Sequence, residues 1–279
     1  MLLYKWGTTS NVVVSTISPD DDYIMYTNMC NVQYDSCLNY LSSMPNVSDL
    51  SISANCTIEL SSTLLKGLYL KRVQLCNVSV DLSVLLQAVD TLEDLTLNSM
   101  TIDSIDCIQL PNLTTLTVYG CSYTKSSPLS MDDCPRLQCL HIEATYLGQL
   151  PSIEKCTDLQ HLSIDSSDVS QSDFSTVDWS YCTDLTKIYI RNCGLKSCIP
   201  ASLSTLTRLD TLVLSGNQLE GQLPNTMSNL TNLQYLLCLS DNRLSGSLFP
   251  LALIGSLRYV YLDSNRVYSI YPPSERTDH

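Results

Sequence analysis

The sequence predicts an α/β solenoid: a curved stack of short parallel strands on the concave side, joined by short helical or irregular segments on the convex side. Three observations carry this expectation. A frame of apolar residues recurs down the chain, with LDTLVLSGNQL from Leu209, LQYLLCLSDNRL from Leu233 and LRYVYLDSNRV from Leu257 spaced 24 residues apart. Apolar residues make up 44% of the 279 while charged residues make up 15%, so polar uncharged residues must cover the surface. Finally, several of the 13 cysteines fall at one position of the recurring frame.

The same frame continues upstream through LTKIYIRNCGL (Leu185), LQHLSIDSSDV (Leu159), LQCLHIEATYL (Leu137), LTTLTVYGCSY (Leu113), LEDLTLNSMTI (Leu92) and LKGLYLKRVQL (Leu65). VSDLSISANCTI from Val47 is the weakest of these ten segments. In each, the central x-L-x-L-x has the period of two that marks a strand buried on one face. A single unit has no partner for its apolar row, and stacking the units buries that row in one continuous core. The pattern L-x-x-L-x-L-x-x-(N/C)-x-L resembles the leucine-rich-repeat family over roughly residues 44–270. The resemblance implies that Asn217, Asn242 and Asn265 bond neighbouring backbone groups along a ladder.

Gly148-Gln149-Leu150-Pro151 and Gly221-Gln222-Leu223-Pro224 are similar to the plant-type subclass, whose signature is L-x-G-x-(I/L)-P. Ser197-Cys198-Ile199-Pro200 departs from it in lacking the glycine, and Gly246-Ser247-Leu248-Phe249-Pro250 has one residue too many. LQYLLCLSDNRL also has an extra residue, which predicts a bulge or slip near Leu236–Leu239. Upstream, CPRLQCL, CTDLQHL and CTDLTKI look like the cysteine-bearing repeats of intracellular adaptors.

The frame also explains most of the cysteines. Cys134, Cys156 and Cys182 stand where Leu206, Leu230 and Ile254 stand in later repeats, which marks a buried apolar slot. Cys121 and Cys193 fall on the ladder position. No C-x-x-C pair is present, so a zinc ribbon or dithiol redox site is disfavoured. Cys30 and Cys37 precede the repeats, and two readings stay open for them: a disulfide in a cap, or reduced thiols in a helical cap.

Function is expected on the concave face. The residue between the two strand leucines runs Ser51, Tyr69, Thr96, Thr117, His141, Ser163, Tyr189, Val213 and Tyr261. The column before it runs Asp49, Gly67, Asp94, Thr115, Cys139, His161, Lys187, Thr211 and Tyr259. This neutral strip, rich in hydroxyls and tyrosines, suits a protein or peptide ligand, with Tyr69, Tyr119, His141, His161, Lys187, Tyr189, Tyr259 and Tyr261 as the candidate contacts. Thr and Tyr also favour exposed strand positions for structural reasons alone. A second possibility is a metal or Cys–His nucleophilic site at Cys139, His141 and His161, with Glu143 and Asp165 at the ends of the same strands. There is no glycine-rich phosphate loop, G-x-S-x-G or H-E-x-x-H, so the expectation is a non-enzymatic module with no cofactor and no metal.

The formal net charge of −13 and pI near 4.4 argue against nucleic acid and anionic membrane as partners. No apolar run is long enough to insert in a membrane. Lys5 interrupts the apolar start, so no cleaved signal peptide is evident; this favours an intracellular adaptor over the ectodomain of a surface receptor or adhesion protein. The sequons at Asn46, Asn55, Asn77, Asn112 and Asn229 occur at a frequency that abundant Ser and Thr explain. Residues 1–43 are expected to be a cap or non-repeat segment, 44–270 the solenoid and 271–279 a tail. No amphipathic helix precedes that tail, which suggests a truncated product or an end covered by a partner.

Overall fold

The computed structural model describes residues 13–14, 23–27, 48–57, 69–79, 91–102, 110–124 and 128–268. Cys30, Cys37, Asn46, the side chain of Asn55, the tail 271–279 and its His279 lie outside the described residues. The chain forms a parallel solenoid whose main sheet has 12 strands in the order β1-β2-β3-β4-β5-β7-β9-β10-β11-β12-β14-β16. These are Val13–Val14 (β1), Tyr23–Thr27 (β2), Asp49–Thr57 (β3), Arg72–Ser79 (β4), Asp94–Asn98 (β5) and Thr115–Tyr119 (β7). The sheet continues with Cys139–Glu143 (β9), His161–Asp165 (β10), Lys187–Arg191 (β11), Thr211–Val213 (β12), Leu236–Cys238 (β14) and Val260–Tyr261 (β16). All pairings are parallel except β1 with β2. The sheet therefore begins upstream of residue 44, because β2 pairs with β3 in unbroken register.

Alternation within each strand builds the core. β5 and β9 both alternate half-buried with buried positions, and the buried ones are the frame residues Leu95, Leu97, Leu140 and Ile142. Stacked turn on turn, these rows merge into one continuous cluster from Leu50 to Ile254. Cys134, Cys156 and Cys182 are buried in it as the frame predicts.

From Arg72–Ser79 onward, each strand of the main sheet is left through a left-handed residue. Asn77, Ser99, Gly120, Ala144, Ser166, Asn192, Gly216, Asp241 and Ser264 occupy this one position, with φ between +48° and +69°. The ladder residue follows directly. Asn217 donates from Nδ2 to the Ile190 carbonyl at 2.7 Å and the Leu214 carbonyl at 3.0 Å, and its Oδ1 accepts from the N–H groups of Cys193 and Leu195. Asn242 and Asn265 repeat the arrangement. Cys193 and Cys121 also join the ladder, their thiols donating to the Arg191 and Ile164 carbonyls and to the Tyr119 and Leu97 carbonyls. Two members carry no asparagine-like signature: Thr145 Oγ1 accepts from the Cys121 N–H, and Ser167 Oγ accepts from the Thr145 N–H.

Among the described residues, the convex side is built from short 3-10 turns and one short α-helix, Phe249–Ala252. Pro200 and Pro224 open the turns Ala201–Thr205 and Asn225–Asn229, where a missing N–H costs nothing. Asp173 and Asp178 cap the turns Phe174–Thr176 and Trp179–Tyr181 by accepting from the N–H groups of Ser175 and Ser180. The turn that holds them runs 26 residues from Asp165 to Arg191, and the buried Phe174 and Trp179 fill it with an edge-to-face contact at 6.0 Å.

Two expectations about register change. The extra residue of LQYLLCLSDNRL leaves β14 unbroken, pairing Leu236, Leu237 and Cys238 with Thr211, Leu212 and Val213. The slack is taken up before the strand, at Gln234 and Tyr235, where Tyr235 is pushed out to solvent. The repeat expected from Leu65 starts at Leu70, since Arg72, Val73, Gln74 and Leu75 pair with Asp49, Leu50, Ser51 and Ile52.

A small second sheet runs beside the C-terminal turns, formed by Glu220–Gln222 (β13), Arg243–Ser247 (β15) and Arg266–Tyr268 (β17). Another pairs Thr101–Ile102 (β6) with Ser122–Tyr123 (β8). Among the described residues, no helix is long and apolar enough to cross a membrane.

Candidate ligand-binding face

Because the inner residues of the main-sheet strands from Arg72–Ser79 to Leu236–Cys238 are leucine-like and buried, the intervening ones project from the concave face. The register places them in columns. One runs Asp49, Arg72, Asp94, Thr115, Cys139, His161, Lys187, Thr211 and Leu236, and the next Ser51, Gln74, Thr96, Thr117, His141, Ser163, Tyr189, Val213, Cys238 and Tyr261. Tyr259 immediately precedes β16.

Tyr69 is not part of these columns. The shift of frame to Leu70 leaves it one residue before the repeat starts, and Arg72 and Gln74 take the places assigned to Gly67 and Tyr69. Two overlapping readings exist here, L-x-x-L-x-L from Leu65 and L-x-x-V-x-L from Leu70, and the register follows the second, stacking the buried Val73 and Leu75 on Leu95 and Leu97. His141, His161, Lys187, Tyr189 and Tyr261 all lie on the face. Tyr119 lies in a third column, between Asn98 and Glu143. Tyr259 and Tyr261 are 59% and 50% exposed and Tyr119 44%, so their rings stand clear of the sheet.

Charge on the face is largely paired in place. Arg72 is bonded to Asp49, whose side chain also accepts from Ser48. Burial pulls the Asp49 carboxyl upward, but the Arg72 and Ser48 hydrogen bonds outweigh it and hold the group below its usual range. Asp94 moves the other way, raised first by burial and also by the neighbouring Asp49 charge. These groups border a shallow depression of about 170 Å³ with Ser51, Gln74 and Thr96. Farther along, Arg191 is bonded to Asp165 and lies over the Tyr189 ring at 5.9 Å, which fixes that ring. His141 Nε2 lies 3.4 Å from Glu143 Oε2.

Cys139 and His161 are direct neighbours in the register, and His141 is paired with Ser163. Burial pushes the Cys139 thiol up, opposite to what a nucleophilic or metal-binding thiolate requires. Among the described residues no three His, Cys, Asp or Glu side chains form a metal-ligand set.

Thr211 and Val213 also face the concave side yet are buried, while Leu236 follows them as an apolar member of an otherwise polar column. The C-terminal part of the face is accordingly more apolar than the rest. The extra residue before Leu236 hides this in the sequence, because it puts Leu236 where the frame expects an inward side chain.

A family model described as Leucine Rich Repeat matches residues 208–230. None of the curated proteins matches the chain in sequence. Among solved structures, the chain is similar to the ectodomain of the Arabidopsis thaliana membrane receptor kinase GASSHO1/SCHENGEN3, with 20% identity, a TM-score of 0.64, and 82% of this chain covering 28% of that one. The ectodomain of the Arabidopsis receptor kinase HAESA gives 19% identity and a TM-score of 0.58, with 82% of this chain covering 44% of that one. The plant peptide hormone receptor RGFR1 gives 18% identity and a TM-score of 0.56, with 86% of this chain covering 42% of that one. The chain thus spans less than half the length of each, and the likeness is one of fold.

Proposed function

We propose that this leucine-rich-repeat solenoid is a non-enzymatic recognition module that takes a protein or peptide ligand on its concave face. The observation that carries the reading is the exposed tyrosine set of the inner sheet: Tyr119 stands beside the buried frame residues Leu116 and Val118, and Tyr259 and Tyr261 flank Val260, itself 41% exposed, at the last strand. Tyrosine brings large contact area at low entropic cost and a polar tip, and it is enriched among residues that dominate binding. The paired charges nearby leave no strong field, which favours an uncharged or mixed ligand over a polyanion. The GASSHO1/SCHENGEN3 and HAESA ectodomains were solved with CASPARIAN STRIP INTEGRITY FACTOR 2 and an IDA peptide hormone ligand, which supports a peptide as the ligand class here.

Selection of a random displayed peptide library on the purified chain tests the reading. Enriched peptides should bind the native protein and lose at least about tenfold in affinity for a Tyr189→Ser, Tyr259→Ser, Tyr261→Ser triple variant. Peptides that bind the triple variant equally well would place the site elsewhere.

A further inference from the structure

We infer that the flank beside the C-terminal turns carries a second binding site, for a tetrahedral oxyanion such as a phosphate or sulfate group. A groove of about 460 Å³ opens along the second sheet, lined by Ser197, Cys198, Gly221, Arg243, Ser245 and Arg266, with Glu220 at its side. It lies on β13, β15 and β17 and shares no residue with the concave columns.

Arg243 and Arg266 hold the same place in successive turns, each directly after a ladder asparagine. In the register Arg266 pairs with Ser245, two residues beyond Arg243, so the two arginines sit diagonally on neighbouring strands, roughly 8 Å apart at the backbone and within reach of one anion through their long side chains. Elsewhere in this acidic chain, Arg72, Arg191 and Arg208 each sit against a carboxylate. Among the described residues, neither Arg243 nor Arg266 has a carboxylate within ion-pair distance. Glu220 is the strand partner of Arg243 in the register, yet the two are not ion-paired.

The backbone beneath them is fixed. The Arg243 N–H donates to the Leu219 carbonyl at 2.7 Å, and Asn242 and Asn265 lock the residues just before each arginine. Gly221, at φ +79°, keeps the floor free of a side chain, and Ser245 adds a hydroxyl that donates to the Gly221 carbonyl at 3.3 Å. Two like charges on a rigid base, flanked by hydroxyls, offer forked donors that match the oxygens of phosphate or sulfate, and an anion between them relieves their repulsion.

The same geometry gives Glu220 an opposing role, since its carboxylate competes with the anion for Arg243. Titration calorimetry of the whole chain with inorganic phosphate, a neutral phosphoserine peptide and its unphosphorylated twin tests the site. Binding that the twin lacks is expected, weakening with added salt. Arg243→Gln and Arg266→Gln should each weaken it about tenfold, a charge-assisted hydrogen bond being worth that much, whereas Glu220→Gln should tighten it. Tighter binding of the phosphopeptide than of inorganic phosphate assigns the site to a modified chain, and equal binding assigns it to the free ion. No phosphate-dependent binding, or binding indifferent to both arginine variants, overturns the inference.

Discussion

Asn217 and Cys193 link three successive turns: the Asn217 Oδ1 accepts the Cys193 N–H at 3.1 Å, while the Cys193 thiol donates onward to the Ile164 carbonyl at 3.4 Å. One side chain thus serves the turn before it, and the next residue in the column repeats the service. Asn217→Leu keeps the volume roughly constant but orphans two N–H groups and two carbonyls in the core. Unfolding in urea should show a loss of about 3 kcal/mol or more.

The left-handed positions give a pair of substitutions with opposite sign. At Gly216, φ is +69° and an added Cβ would lie 2.0 Å from the Asn192 Oδ1. Gly216→Ala should destabilise by about 1–3 kcal/mol, with the thermal midpoint falling accordingly. Ser197 holds the place of the signature glycine at φ +71°. Ser197→Gly should raise stability by about 1 kcal/mol, the cost of holding an L-residue in that region.

The buried thiols predict an alkaline limit. Burial lifts Cys134 and Cys156 from the usual 9.0 to about 12, and Cys182 and Cys193 to about 11. Between pH 9 and 11 the unfolded chain releases these protons and the folded chain keeps them, so the unfolded state binds fewer. Stability is therefore full below pH 9 and falls above it, by up to about 1.4 kcal/mol per pH unit for each thiol. Denaturation midpoints at pH 8, 9.5 and 10.5 should fall in that order, and Cys156→Val should flatten the trend.

A functional contrast follows from the corrected register. Tyr69 is the most exposed tyrosine of the candidate set at 69%, yet it stands outside the concave columns. Tyr69→Ser should leave affinity for a selected peptide unchanged, whereas Tyr189→Ser, which also removes the ring beneath Arg191, should weaken it several-fold.

Much of this architecture is legible in the sequence because its information is periodic. The inward rows, the buried thiol column at Cys134, Cys156 and Cys182, and the asparagines of the ladder each recur at one place in the frame. What escapes is what periodicity does not encode. Leu65 and Leu70 open equally good frames, and only the neighbouring turn decides between them. Thr145 and Ser167 do the work of an asparagine through a hydroxyl, which in the sequence resembles any surface residue. The strand Tyr23–Thr27 contains no leucine and so falls outside the pattern it joins. On the concave face the hydroxyl-rich columns were legible, but the apolar C-terminal end was masked by the extra residue before Leu236.

The ladder column also changes in kind along the chain, from Met100 through Cys121, Thr145, Ser167 and Cys193 to three successive asparagines. A hydroxyl here accepts one N–H of the preceding turn, a thiol donates to one carbonyl of the preceding turn, and the Asn217 carboxamide does both at once. In a linear array, stability is the sum of what each unit holds and what couples it to the next. The coupling here rises toward the C-terminus, so the molecule is graded rather than uniform. Hydrogen exchange should accordingly show the turns of Asn217 and Asn242 protected for longer than those of Met100 and Cys121.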